Sequence, residues 1–459
     1  MNRQYDVVPV RFVDLFCGIG GFHAAFESES LILDYECVFA CDIDKDCRKV
    51  YKDNWEEIPV GDIRKFSPDI EDHEILCAGF PCQPFSKSGS RLGFRDKVRG
   101  TLFGEISRII ELKRPKFVLL ENVENLEGHD EGRTLYTIKR VLRGMGYFVK
   151  DRVLSPHHFG IPHHRPRIFI AAIDKNAVTN YKKFRFPRRL PKKSQERCHV
   201  DDLFDNGSEG SISESEQLVL DHWTEFMKRL PEGKRPPSPT WSMEFQRSYK
   251  LEEIHPISRL TKANLCAELL KEGIEAKEYW RKQRILALFP PYIRKMKGEM
   301  PKWKRQIILR NRKFWEEHNH LFSDGWLSHT RTFKDTQQKF EWHVGVDACK
   351  DIMSHMVHSR PSGIRVSKVD RIPALVAMAQ IPIIGPWGRR LSPREAANAQ
   401  SFGQDFILDK RDSVAFKQLG NSVNVSVVAK ILKSFEDLLT GSDKDIRPPV
   451  VLDFQNNNR

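Results

Sequence analysis

From residue 11 to about residue 173, short and almost unbroken apolar runs alternate with stretches whose apolar residues recur every three or four positions. The runs RFVDLF, YECVFA, HEILCAGF, KFVLLEN and RIFIAAI are short and apolar nearly throughout, so they predict strands covered on both faces. Between them, GFHAAFESES, KDCRKVYKDNW, GTLFGEISRIIELK and GRTLYTIKRVLRGMG carry the period of amphipathic helices. Strand alternating with helix predicts an α/β fold with a doubly wound, mostly parallel sheet of the Rossmann-like kind.

The alternation then stops. YKKFRFPRRLPKKSQER (181–197) reads as a basic, proline-punctuated connector, DNGSEGSISESEQ (205–217) as a polar linker, and PEGKRPPSPT (231–240) as a further break. A long region rich in aromatics and helical stretches follows. Between Arg281 and Lys313 it holds twelve Lys or Arg against one acid, Glu299, with Trp280, Tyr292, Trp303, Phe314 and Trp315 in or beside it. Such a stretch suits either a solvated helix face over an aromatic core or a phosphate-binding surface. A compact helical style returns beyond residue 385, and the tail from Thr440 is polar. The expected organisation is a first domain over 1–190 completed by 412–442, a second, variable domain over 191–411, and a polar tail over 443–459.

Charge narrows the partner. The 459 residues carry a formal charge of +13, which favours a polyanion, since Lys and Arg gain affinity by releasing counterions from phosphates. Nine cysteines without a C-x-x-C pair argue against a disulfide framework or a zinc ribbon and for a reducing compartment. The first residues lack a secretory apolar segment, and no run approaches the ~18 apolar residues of a membrane helix.

The chemistry begins at VDLFCGIGGFHAAF, where a strand ends in Gly18, Gly20 and Gly21 and a helix follows. The spacing is neither the dinucleotide fingerprint nor a P-loop. Asp42, in CDID at the end of the next strand, stands where an acid meets a ribose hydroxyl in this fold class, and Asp62 follows in GDI. Two carboxylates would repel a pyrophosphate but tolerate a cation, so S-adenosylmethionine, a nucleoside with a sulfonium, suits the pattern. Cys82 and Glu121 lie just past other strand ends, on the rim where such sheets bind ligands. Arg165 and Arg167 alternate before a strand and so share a face. His157, His158, His163 and His164 invite a metal, but adjacent pairs diverge along an extended chain, and none is expected.

Together these segments resemble the cytosine-C5 DNA methyltransferases. DLFCGIGGF looks like their first motif, GFPCQPFS their catalytic loop, ENV (121–123) their glutamate motif, and HHRPR their Q-x-R-x-R motif with His163 in place of Gln. RRLSPREAANAQSFG and QLGNSV resemble the ninth and tenth, in the family's order. The resemblance implies Cys82 as nucleophile, Glu121 as the acid at N3, Arg167 at O2 of the base, and Arg165 supporting the loop. It implies S-adenosylmethionine in a pocket lined by Phe16, Gly18, Gly20, Asp42, Asp62 and Asn421. Double-stranded DNA is the expected partner, with Ser86 and Lys87 of the loop and Arg281, Lys282, Arg284, Lys302, Lys304 and Arg305 of the basic stretch on its phosphates. A prokaryotic, cytoplasmic and nucleoid-associated monomer is expected, beside a restriction endonuclease or defence proteins. The rivals are a tRNA methyltransferase of the same fold, which tends to carry a second proline where Phe80 stands, and an inactive DNA-binding relative.

Overall fold

The structure is a computed structural model that describes residues 8–57, 59–66, 70–81, 101–195, 199–205, 210–247, 257, 260–271, 273–294, 299–322, 325–375 and 380–441. It divides into two units, Met1–Arg197 with Ala397–Arg459, and Cys198–Ala396. Residues 397–411, grouped by sequence with the second domain, cluster with the first.

The first unit is built on a six-stranded sheet. Its strands are β1 (Val10–Leu15), β2 (Tyr35–Cys41), β3 (Ile75–Gly79), β4 (Phe117–Val123), β5 (Tyr147–Leu154) and β6 (Arg167–Asp174), in the order β2-β1-β3-β4-β6-β5. Pairings β1–β2, β1–β3 and β3–β4 are parallel, while β6 runs antiparallel to β4 and β5. Val13, Leu76, Val118, Leu120, Ile168 and Ala172 are sealed from water, which is why these strands read as continuous apolar runs. The edge strand β5, YFVKDRVL, was not anticipated. Lys150, Asp151 and Arg152 interrupt its apolar positions, as a half-exposed edge permits.

Helices α1 (Gly21–Phe26), α2 (Lys45–Trp55), α3 (Ile63–Phe66), α4 (Leu102–Lys113) and α5 (Arg133–Gly144) connect the strands. Asp44 caps α2 by accepting from Asp46 N at 3.0 Å, and Thr101 caps α4 by accepting from Gly104 N at 3.1 Å. The strand order reverses between β1 and β3, which makes the gap between their carboxyl ends the switch point of the sheet. The loop after β1 holds the glycines, and the chain leaving β3 leads to Cys82.

The end of the chain returns to this unit. The last helix, Val425–Thr440, is capped by Asn424 and buries Val427, Val428, Ile431, Leu432 and Phe435. Phe435 stacks on Phe117 with ring centres 4.7 Å apart, and Glu436 accepts from Ile32 N and Leu33 N at 2.8 and 2.9 Å. The basic connector also belongs here: Phe184 and Phe186 are buried, and Phe184 meets Phe435.

The second unit holds a sheet of short strands, in the order Arg389–Arg390, Ile383–Ile384, Met356–Arg360, Gly363–Ser367, Lys339–Trp342, Thr240–Trp241. No strand was expected in this region, because runs of two to five residues leave almost no periodic signal. The polar linker of 205–217 ends inside a helix, Glu214–Arg229. Ser213 caps it by accepting from Glu216 N, and Val219, Leu220, Trp223, Phe226 and Met227 pack under it. A second, smaller core joins Leu265, Leu269, Ile285, Phe289, Ile293 and Ile308 from the helices around the basic stretch. No described helix is long and apolar enough to cross a membrane.

Candidate active site

The turn after β1 is drawn tight by its backbone. Phe16, Gly18 and Gly20 all have positive φ, at 58°, 55° and 84°. Glycine adopts this freely; for Phe16 it is a strained conformation, costing ~1–3 kcal/mol, of the kind found at ligand sites. Asp42 holds the turn from the next strand. One carboxylate oxygen accepts from Gly18 N at 2.9 Å and the other from Asp44 N at 2.8 Å. Burial raises the Asp42 carboxyl, and these two N–H donors pull against it. Asp42 N donates to Val60 O at 3.0 Å, which sets the segment carrying Asp62 alongside. The Asp62 carboxylate is forked by Arg64 at 2.9 Å and held down to about 2 by it, so this acid is engaged within its own turn.

At the far side of the switch point, Gly79 pairs with Glu121 in register. Glu121 is 8% exposed, and its Oε1 lies 3.1 Å from Arg167 Nε. The antiparallel run of β6 makes this possible, because it brings the start of that strand to the end of β4, with Val123 opposite Arg167. Burial raises the Glu121 carboxyl, while Arg167 and then Arg165 draw it back. Asn122 Nδ2 donates to Phe80 O at 2.8 Å, anchoring the chain two residues before Cys82 to the glutamate strand. Cys82, Ser86 and Lys87 themselves lie outside the described residues.

Arg165 is 2% exposed and donates through one terminal nitrogen to Gly420 O at 2.7 Å and Ser422 O at 2.6 Å. Burial, then the neighbouring Arg167, brings its guanidinium down to about 9, which still leaves it charged at neutral pH. His163 is sealed and donates through Nδ1 to Ala399 O at 3.1 Å, while its Nε2 has no hydrogen-bond partner among the described residues. Burial pushes its pKa well down, so the ring is neutral. Two of the paired histidines meet at Ser155: His157 Nδ1 lies 2.8 Å from Ser155 Oγ, and His158 Nδ1 accepts from Ser155 N at 3.1 Å.

Among the described residues one other group could offer a metal three ligands: His23, Cys37 and Glu57, whose donor atoms lie within 4.8 Å of one another. The Tyr51 hydroxyl, 2.6 Å from His23 Nδ1 and 3.6 Å from Cys37 Sγ, joins two of them by hydrogen bonds. Asn421 is exposed, beside buried Ser422 and Val423.

One residue and one contact escaped the sequence reading. Ile43, next to Asp42, is 76% exposed, an apolar side chain that a flat ring could cover; its signal was an apolar residue between acids in CDID. Gly21 admits the chain end, since a Cβ there would fall 2.5 Å from Ser422 Oγ. The third glycine of CGIGGF was visible, but its partner was not.

Of the six residues of the basic stretch expected on DNA, Arg281 and Lys302 are exposed at the starts of their helices, each a helix without an acid in its first turn. Arg284 stacks over Trp280 at 3.9 Å, and Lys304 lies over Tyr292 and Trp303. Lys282 and Arg305 are partly buried. Phe314 and Trp315 are core residues, whereas Trp303 is 58% exposed.

Fold and rim define the class: an α/β protein with a doubly wound sheet whose candidate site lies at the carboxyl edge. Residues 10–437 match the C-5 cytosine-specific DNA methylase family, and the chain belongs to it. It is similar to the Type II methyltransferase M.AluI of Cellulosimicrobium cellulans, at 32% identity over 94% of this chain and 92% of that protein. It is also similar to the Type II methyltransferase M.BanI of Aneurinibacillus aneurinilyticus, at 31% identity over 96% of this chain and 98% of that one. Among solved structures, a putative DNA modification methyltransferase encoded within an E. coli prophage covers 94% of this chain and 100% of its own, with 18% identity and a TM-score of 0.46. The protein is thus an enzyme of the DNA cytosine-C5 methyltransferase family, whose members generally use S-adenosylmethionine.

Proposed function

We propose that this enzyme methylates C5 of cytosine within a specific duplex sequence, through a covalent bond from Cys82 to C6 of a base turned out of the helix. The observation that carries the proposal is the buried Glu121–Arg167 pair on the strand to which the approach to Cys82 is tied.

C5 of cytosine is too weak a nucleophile to take a methyl group unaided. Addition of the Cys82 thiolate to C6 turns the ring into an enamine that is nucleophilic at C5, and negative charge grows at N3. Glu121, favoured in its protonated form by burial, gives N3 a proton. Arg167, held by Glu121, meets O2. After C5 has taken the methyl group, a base removes the C5 proton, the C–H electron pair restores the ring double bond, Cys82 leaves with the C6–S bonding pair, and N3 returns its proton to Glu121.

S-adenosylmethionine supplies the electrophilic methyl group when bound. The residues fit it: Asp42 uses a lone pair of one oxygen on Gly18 N of the glycine turn and of the other on Asp44 N, and keeps others for ribose hydroxyls. Phe16, Gly18 and Gly20 shape the turn, Ile43 offers a surface to the base, and Asp62 and Asn421 complete the rim. Ser86 and Lys87 meet phosphates beside the extruded base, and Arg281, Lys282, Arg284, Lys302, Lys304 and Arg305 hold DNA from the second unit. The enzyme acts as a monomer in a prokaryotic cytoplasm, on nucleoid DNA, beside a cognate endonuclease or defence proteins. Methyl transfer from labelled S-adenosylmethionine to duplex DNA and to tRNA tests the reading. Incorporation into DNA is expected; incorporation confined to tRNA would overturn it.

A further inference from the structure

The segment Gly420–Val423 is gripped from two sides. On one side Arg165, at the catalytic rim, donates to the carbonyls of Gly420 and Ser422 at 2.7 and 2.6 Å. Gln400 Nε2 adds bonds to Leu419 O at 2.7 Å and Ser422 O at 3.2 Å. On the other side the segment lies against the glycine turn, where a Cβ at Gly21 would meet Ser422 Oγ at 2.5 Å and Val423 Cγ2 at 2.8 Å. Only a residue without a side chain at position 21 lets the segment lie this near the turn, and a guanidinium only 2% exposed cannot release its carbonyls without losing their compensation.

We propose that Arg165 is a positioning residue for the cofactor: it holds residues 420–423 against Gly21 and so sets the wall of the S-adenosylmethionine site, independently of any base. The inference rests on the proposed cofactor reading. A guanidinium suits the task because its planar terminal nitrogen carries two N–H groups in fixed directions, one for each carbonyl, whereas a lysine ammonium is a point donor that rotates.

The test is calorimetric titration of S-adenosylmethionine into the full-length protein without DNA, for the wild type, Arg165→Lys, Gly21→Ala and Gly21→Ala with Ser422→Gly. Loss of hydrogen bonds from a charged donor predicts that Arg165→Lys binds about tenfold more weakly. Gly21→Ala weakens binding as well, and removing the Ser422 side chain restores part of it, because the 2.5 Å contact disappears while that to Val423 stays. In turnover, Arg165→Lys raises KM for S-adenosylmethionine while KM for DNA stays within about twofold, a split that general loosening would not give. The inference is overturned if Arg165→Lys binds S-adenosylmethionine as the wild type does and loses only methyl transfer, or if Ser422→Gly restores nothing. Failure of the folded wild type to bind S-adenosylmethionine would instead sink the cofactor reading itself.

Discussion

At the scale of single residues, two carboxyls raised by burial have opposite consequences. Glu121 sits beside cations and faces the rim, so its raised pKa is useful: a protonated acid can give N3 a proton. Glu121→Gln, close in shape, should keep the fold and lower single-turnover methyl transfer by about 10²–10⁴-fold. In the wild type, the same rate should fall as pH rises through the Glu121 pKa. Asp14, in the middle of β1, is sealed, and neither carboxyl oxygen has a hydrogen-bond partner among the described residues. Burial drives its pKa well up; the His23 backbone pulls against it, and the nearby Asp42 charge adds to the rise. The native state therefore keeps a proton that the unfolded chain releases. Its contribution to stability is full below the unfolded pKa, ~4, and declines as pH rises from there towards the folded value. Urea unfolding across that range should show this negative slope in the wild type and a shallower one in Asp14→Asn. An unchanged slope would mean that Asp14 titrates as an exposed acid. The glycine turn, Asp42 and Glu121 could be singled out in sequence because each stands at the end of an apolar run, where the fold class puts its rim, whereas Arg167 opens its run and reaches that rim because its strand is antiparallel. The hold of Arg165 on Ser422 was not, since 257 residues separate them and neither side of the pair carries a local signal.

At the scale of elements, the basic stretch divides into two roles. Arg312 pairs with Glu244 at 2.9 Å, with side-chain exposures of 11% and 0%, and the Tyr292 hydroxyl bonds the same carboxylate. That pair belongs to the fold. Breaking a buried ion pair from one side leaves an uncompensated charge, so Arg312→Gln should destabilise the protein by ~3–5 kcal/mol in chemical denaturation. Arg281 and Arg284 are exposed at the surface of the smaller core, and their loss should leave denaturation unchanged while weakening DNA binding and flattening its salt dependence. Denaturation and binding curves on the two sets of variants separate the roles; equal loss of stability in both would refute the division. Composition alone counted these residues as one run because charge does not show which side chains the fold has already paired. The short strands of the second unit were hidden for a related reason: their pairing partners, such as Thr240 with Phe340, come from distant parts of the chain.

At the scale of the whole molecule, the first unit is completed by its own chain end, and the last helix packs on β4 and on the loop before β2. The same arrangement brings GNSV to the glycine turn. The central claim is that this unit forms a bond from Cys82 to cytosine in DNA. Sequencing of methylated cytosines in DNA from cells expressing the wild type and Cys82→Ser tests it most directly. The account predicts 5-methylcytosine at one recurrent sequence with the wild type and none above background with Cys82→Ser. Undiminished methylation by Cys82→Ser, or no 5-methylcytosine in DNA from cells making folded wild-type protein, would contradict it.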